Sequence, residues 1–125
     1  MTDFSEDDLL RGITDALTVG GWRWHHVRRS DRAIQQGQGG WPDIFALHPE
    51  RGETFVAELK AEHRRVEPLQ ADWLEVFGAC GIPARVIRPA QYDATWRWLV
   101  GDRLVVRGSR GTGQPDCLVV MGEEA

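Results

Sequence analysis

Gly40-Trp41-Pro42-Asp43-Ile44-Phe45-Ala46-Leu47, followed after a turn-rich stretch by Thr54-Phe55-Val56-Ala57-Glu58-Leu59-Lys60, decide how the rest of the chain is read. Pro42 fixes its own φ and drives Trp41 into an extended conformation, so Asp43 stands at a defined entrance to a strand over 43–47. The run 54–60 reads as a second strand. Strand side chains alternate, which sends Phe55, Ala57 and Leu59 to one face and Val56, Glu58 and Lys60 to the other. A carboxylate and an ammonium projecting together from an apolar strand are costly without partners or a task. With the two strands side by side, Asp43 and Glu58 converge, and a divalent cation relieves their repulsion. Magnesium suits such a place, because it takes oxygen ligands and binds through one or two carboxylates plus water and phosphate. A metal held there polarises a phosphodiester and acidifies bound water, with Lys60 beside it to orient that water or neutralise developing charge.

Outward from this stretch, Ser5 begins a helix whose first turn holds Glu6, Asp7 and Asp8. Leu9, Leu10, Ile13, Ala16 and Leu17 recur at helical spacing until Gly20-Gly21, and Glu6 shares their face at the edge of the core. Residues 22–27 read as a short strand and 28–40 as a polar, glycine-rich loop. Residues 61–67 form a charged loop. Pro68 opens a second helix with an apolar stripe of Leu69, Trp73, Val76, Phe77 and Cys80 that ends at Gly81. Residues 84–88 read as a strand, and strand–helix–strand order favours a parallel crossover. Tyr92, Trp96 and Leu99 mark a third helix ended by Gly101. The order α-β-β-β-α-β-α predicts an α/β domain with a mixed central sheet flanked by helices. We expect a core domain over 1–100 and a C-terminal extension over 101–125, where residues 104–106 and 117–120 are strand-like and suit a hairpin or a loosely held tail.

The composition agrees with one folded domain. Of 125 residues, 42% are hydrophobic, which excludes a disordered chain. No apolar run approaches the roughly 18 residues of a membrane span. The acidic start, Met1 to Asp8, is the reverse of a signal peptide. Cys80 and Cys117 lie too far apart in sequence for a metal pair, so neither a structural zinc nor a disulfide framework is expected, and a reducing cytoplasm is. The net charge of −4 is sorted rather than spread. Residues 22–36 carry Arg23, Arg28, Arg29 and Arg32 against Asp31, and residues 85–110 carry six Arg against Asp93 and Asp102. Two basic stretches around an acidic middle suit a phosphate-backbone footprint, although solvated surface arginines read equally well from charge alone. Fourteen of fifteen basic residues are Arg, and Lys60 is the one Lys. A compact ammonium at that position, where the chain otherwise uses a guanidinium fork, invites a chemical reason.

Pro42-Asp43 with Glu58-Leu59-Lys60 resembles the signature of the PD-(D/E)XK nuclease superfamily. The chain is most similar to its small VRR-NUC type, which includes stand-alone phage and bacterial members and Holliday-junction-resolvase-like enzymes. Gly21-Trp22, His26, Gly40-Trp41-Pro42-Asp43-Ile44, Gln70 with Trp73 and Leu74, Gly81 and Val86-Ile87-Arg88-Pro89 also fit, over residues 5–90. The resemblance implies a restriction-endonuclease-like core. It also implies a metal site of Asp43, Glu58 and the Leu59 carbonyl, completed by Glu6 on the first helix. Lys60 and Gln70 join Asp43 and Glu58 as the expected catalytic set. His26, Arg28, Arg29, Trp41, Arg64 and Arg65 are the expected nucleic-acid contacts.

The expected activity is an Mg2+-dependent endodeoxyribonuclease, with Mn2+ as substitute, acting on branched or structured DNA as a homodimer, without membrane or small-molecule cofactor. The rival readings are a nucleic-acid-binding or assembly module that keeps the fold but does not cut, and an interaction domain in which Glu58 and Lys60 form an exposed pair. Pro115-Asp116 also precedes an apolar strand, but no Glu-x-Lys follows it. The pre-motif loop, Gln35 to Gly40, and the tail beyond 101 depart from the family pattern and bear on substrate preference.

Overall fold

Ser5 starts the first helix as expected, and in the computed structural model its Oγ accepts the Asp8 N–H at 3.1 Å while the Asp8 carboxylate accepts the Ser5 N–H at 3.0 Å. This reciprocal cap satisfies two backbone donors that the helix itself leaves open. The structure describes residues 4–27 and 38–102, and the backbone of 105–108 and 117–120. Helix α1 (Glu6–Val19) buries Leu9, Ile13, Ala16 and Leu17, which recur every three or four positions. It is followed by β1 (Arg23–His26), β2 (Ile44–His48), β3 (Glu53–Leu59), α2 (Pro68–Ala79), β4 (Ala84–Ile87), a 3₁₀ turn at Pro89–Gln91 and α3 (Tyr92–Leu99). The sheet order is β1-β2-β3-β4. Its first two pairings are antiparallel, and β4 lies parallel to β3 because α2 carries the crossover. The expected α/β architecture and element order are therefore present. In the tail, β5 (Val105–Gly108) and β6 (Cys117–Val120) pair antiparallel as a separate two-stranded sheet.

Strand β3 is internal to the sheet and covered on both faces. Phe55, Ala57 and Leu59 pack with Leu9, Ile13 and Leu17 of α1 and with Trp98 and Leu99 of α3. Val56 points the other way, into a smaller cluster with Leu74 and Phe77 of α2 and Ala84 of β4. The alternation is the one expected, and each fully covered Leu, Ile or Phe contributes about 2 kcal/mol. The end of α3 is tied down from across the sheet. Trp22 Nε1 donates to the Leu99 carbonyl at 2.8 Å. The Arg51 guanidinium stacks on the Trp22 and Trp98 rings and donates to the Trp98 and Leu99 carbonyls.

Two expectations need correction. Only part of the expected stripe of α2 faces the core: Phe77 is buried and Trp73 packs against it, but Leu69 is 59% exposed, Val76 is 47% exposed, and Cys80 is exposed. Gln70 and Leu74 are buried with Phe77 in their place. One residue is about 100° of helix rotation, and the helix is turned by that amount because the Gln70 amide faces the buried Glu58 carboxylate. Arg85, counted in the basic stretch 85–110, is 0% exposed. Its guanidinium lies over the Phe55 and Trp98 rings, 5.3 and 5.2 Å from their centroids. Long arginine stems and flat heads pack in a core where charge counting places them outside.

Candidate active site

The register of β2 against β3 places the two acids. Ile44 pairs with Ala57 as the last partners of the ladder, so Asp43 stands just before β2 and Glu58 just after Ala57, at the same end of the pair. Asp43 is held through its carboxylate and its backbone carbonyl. Its Oδ2 accepts the Leu59 N–H at 2.8 Å, which orients the carboxylate toward the end of β3. Its carbonyl oxygen accepts the Val27 N–H at 3.2 Å and meets His26 Nδ1 at 2.9 Å. A carbonyl oxygen only accepts, so His26 carries its proton on Nδ1, and in the neutral ring Nε2 is the acceptor.

Glu58 and Lys60 are 1% and 2% exposed. That burial removes the reading of an exposed surface pair. Gln70 is 3% exposed and serves two elements at once. Its Nε2 donates to Glu58 Oε1 at 3.1 Å, and its Oε1 accepts the Glu67 N–H at 2.8 Å at the start of α2. The helix start and the carboxylate are thus set by one side chain. Lys60 lies just past β3, where its N–H donates to the Ile87 carbonyl of β4 at 3.0 Å.

The structure brings Asp43, Glu58, Lys60 and Gln70 to one end of the sheet, with the Leu59 backbone between them. Glu6 stands at the start of α1, where its carboxylate meets Arg64 at 3.9 Å. Among the described residues no three His, Cys, Asp or Glu side chains gather to hold one ion, and Asp43 and Glu58 offer carboxylate oxygens alone. An all-oxygen set of this kind fits Mg2+, which keeps several waters, and does not fit a closed zinc site.

Trp41 stacks near Phe45 and packs edge-on against Trp73 and Phe77. It is partly buried beside the motif, and Trp73 Nε1 donates to the Gly39 carbonyl at 2.8 Å. Arg64 and Arg65 are exposed on the loop that follows Lys60. Arg28 and Arg29 lie outside the described residues. Sequence reasoning missed Gly40 as a constrained position. Its φ is +94°, and a Cβ there would lie 2.6 Å from the Leu69 carbonyl group, so the chain passes close to α2 just before the motif. The glycine run before Trp41 was the available signal.

A VRR-NUC domain family model matches residues 6–91, a span that holds every residue of the acidic motif and Gln70. The chain belongs to the VRR-NUC domain family. A solved structure described as a VRR-NUC domain is 22% identical, covers 70% of this chain and 89% of its own, and superposes with a TM-score of 0.55. At that identity the likeness speaks for the fold. No curated protein is significantly similar to the chain. VRR-NUC is a nuclease family of the PD-(D/E)XK kind, so the expected resemblance and the nuclease-type fold both stand. None of the described helices is long and apolar enough to cross a membrane.

Proposed function

We propose that this VRR-NUC chain is a divalent-metal-dependent DNA endonuclease that hydrolyses phosphodiester bonds. The observations that support the reading are the Asp43 carboxylate bound to the Leu59 N–H at the end of β3 and the burial of Glu58 and Lys60 on either side of Leu59. Asp43, Glu58 and the Leu59 carbonyl would hold Mg2+ or Mn2+. When bound, the metal supplies Lewis-acid polarisation of the phosphate and a more acidic water. The residues themselves do the rest. The Leu59 N–H and the two bonds to the Asp43 carbonyl hold that carboxylate in place before substrate arrives, and Gln70 does the same for Glu58. Such preorganisation is what a charged transition state needs. Lys60 donates to the attacking water or to the phosphate oxygen on which charge develops, and its burial strengthens that interaction. Arg64, Arg65 and His26 contact the phosphate backbone, and Trp41 borders the substrate. The resemblance to resolvase-like members supports branched DNA as substrate and a homodimer that brings two sites to two strands.

Purified chain incubated with linear, nicked, flapped and four-way DNA and Mg2+ or Mn2+ should cut at least one of them. Asp43→Asn and Lys60→Ala, checked for folding, should not. Identical products from wild type and both variants would refute the reading. Binding without cleavage under either metal, unaffected by chelator, would instead identify a non-catalytic module.

A further inference from the structure

Arg88 follows directly on β4 and belongs to no part of the acidic motif, yet its side chain is spent on the loop that leaves the site. Its Nη1 donates to the carbonyl oxygens of Ala61 at 2.8 Å, Glu62 at 3.2 Å and Arg64 at 2.7 Å. Two hydrogens serve three acceptors, so one bond is shared. The base of the clamp is itself held, because the Arg88 N–H donates to Gln91 Oε1 at 2.9 Å and Pro89 fixes the next turn. Lys60 is therefore gripped from both sides. Its own N–H is bound by the Ile87 carbonyl, and the carbonyl of the following residue is bound by Arg88.

The loop needs such a clamp. Glu62, His63, Arg64 and Arg65 are exposed, and a single-turn bond from Arg64 N–H to the Ala61 carbonyl at 3.2 Å closes its backbone. No apolar side chain from 62–65 anchors it to the core. Hydrogen bonds from a charged donor are about twice as strong as neutral ones, so a guanidinium on three carbonyls sets the path of the segment.

We infer that Arg88 is a positioning residue whose hold on residues 61–64 fixes where the Lys60 ammonium and the Arg64 and Arg65 side chains stand relative to Asp43 and Glu58. The role rests on the nuclease reading above. Arg88→Met keeps the stem and removes the donors, and Arg88→Ala leaves room for a small replacement. Both variants are expected to fold, to lose about a hundredfold in kcat through the misplaced Lys60 and to raise KM for DNA by a smaller factor, about threefold to tenfold, through the misplaced Arg64 and Arg65.

Millimolar methylguanidinium should restore about a tenfold increment, equivalent to about 1.4 kcal/mol, to Arg88→Ala and none to Arg88→Met. Trypsin should cut after Arg64 and Arg65 faster in both variants than in wild type. Unchanged kcat in the folded variants, a loss that methylguanidinium leaves untouched, or an unchanged rate of loop cleavage would each overturn the role. Failure of both variants to fold would overturn it too, because Arg88 would then carry the fold and not the site. A wild-type chain that cuts no DNA sinks the nuclease reading and this role with it, whereas an active wild type with equally active variants sinks this role alone.

Discussion

Replacing Gln70 by Glu changes almost no volume and inverts what Glu58 sees. In the native site the Gln70 amide donates to Glu58 Oε1 at 3.1 Å, with both side chains under 4% exposed. Gln70→Glu removes a hydrogen bond to a charged group, worth about 1.5–3 kcal/mol. It also sets a second carboxylate against the first, and two unit charges at this separation repel by about 5 kcal/mol at an effective dielectric constant of 20. The pair has a less costly course. It retains one proton, and holding a carboxyl protonated at pH 7 against an ordinary Glu value near 4.3 costs about 3.7 kcal/mol. That route caps the penalty, so we expect about 2–4 kcal/mol at pH 7, or roughly 10 °C in melting temperature for a chain of this size.

The sign with pH follows from proton counting. Above the ordinary Glu range the folded variant binds a proton that the unfolded chain has released, so its stability relative to wild type falls as pH rises and recovers in acid. A divalent cation should relieve the same repulsion, and Mg2+ or Mn2+ should raise the melting temperature of the variant more than that of wild type. Melting curves at pH 5 and 7.5, in chelator and in metal, measure both effects. If the variant in chelator melts with wild type at pH 7.5, or if the gap does not shrink at pH 5, then Gln70 does not donate to an ionised Glu58, and the account of the site is wrong.

Asp43→Asn should abolish cleavage while melting within a few degrees of wild type, because the amide oxygen still accepts the Leu59 N–H; a large drop in stability would show that the carboxylate is structural. Lys60→Arg should lose at least about a hundredfold in cleavage rate while staying folded, since a bulkier fork cannot occupy the same buried point; full activity in a cleavage assay would remove the case for the single lysine. Gly40→Ala should cost about 2–4 kcal/mol by urea denaturation, from a strained positive φ and from contact with the Leu69 carbonyl group, and an unchanged midpoint would contradict it. Ser5→Ala should cost about 1 kcal/mol at neutral pH. The Ser5 backbone N–H, and then its hydroxyl, hold the Asp8 carboxyl below its usual range. That stabilisation is present at neutral pH and lost as pH falls through the lowered value, so the gap between variant and wild type in thermal melts should narrow in acid.

The acidic motif was legible because strand geometry leaves little choice. Pro42 lies just before β2, and β2 pairs antiparallel with β3 as their proximity in sequence suggested, although Asp43 and Lys60 stand one residue outside the two strands expected to hold them. Helix α1 was legible from its Ser5 cap and its spacing, and the parallel placement of β4 from the crossover rule. The face of α2 was not. Hydrophobic periodicity picked Leu69, Trp73, Val76, Phe77 and Cys80, of which Phe77 is buried, whereas the match of Gln70 to the family pattern put a polar residue at the site, and the two readings differ by about one position around the helix. Periodicity weighs transfer from water and is blind to a buried carboxylate that needs a donor. Arg85 and Arg88 were missed for a related reason: one packs its flat head on Phe55 and Trp98, the other binds carbonyls more than twenty residues away, and neither leaves a trace in local charge or spacing.

These arginines also change what the sorted charge means. The basic stretch 85–110 suggested a phosphate footprint, but Arg85 is inside the core, Arg88 holds the loop after Lys60, and Arg97 pairs with Asp102 at 2.7 Å and Asp93 at 4.0 Å. Of the arginines described there, all three act within the protein. The exposed cations nearest the site in sequence are instead Arg64 and Arg65, on the segment that Arg88 holds, with Arg64 reaching back to Glu6 on α1. A guanidinium bound to carbonyls contributes little to an external field, while one on an exposed loop is free to attract a phosphate chain. Net charge over 125 residues therefore says little about nucleic-acid binding here. The relevant quantity is the balance within one loop and one sheet end, where Arg64 and Arg65 are exposed on the segment that follows Lys60.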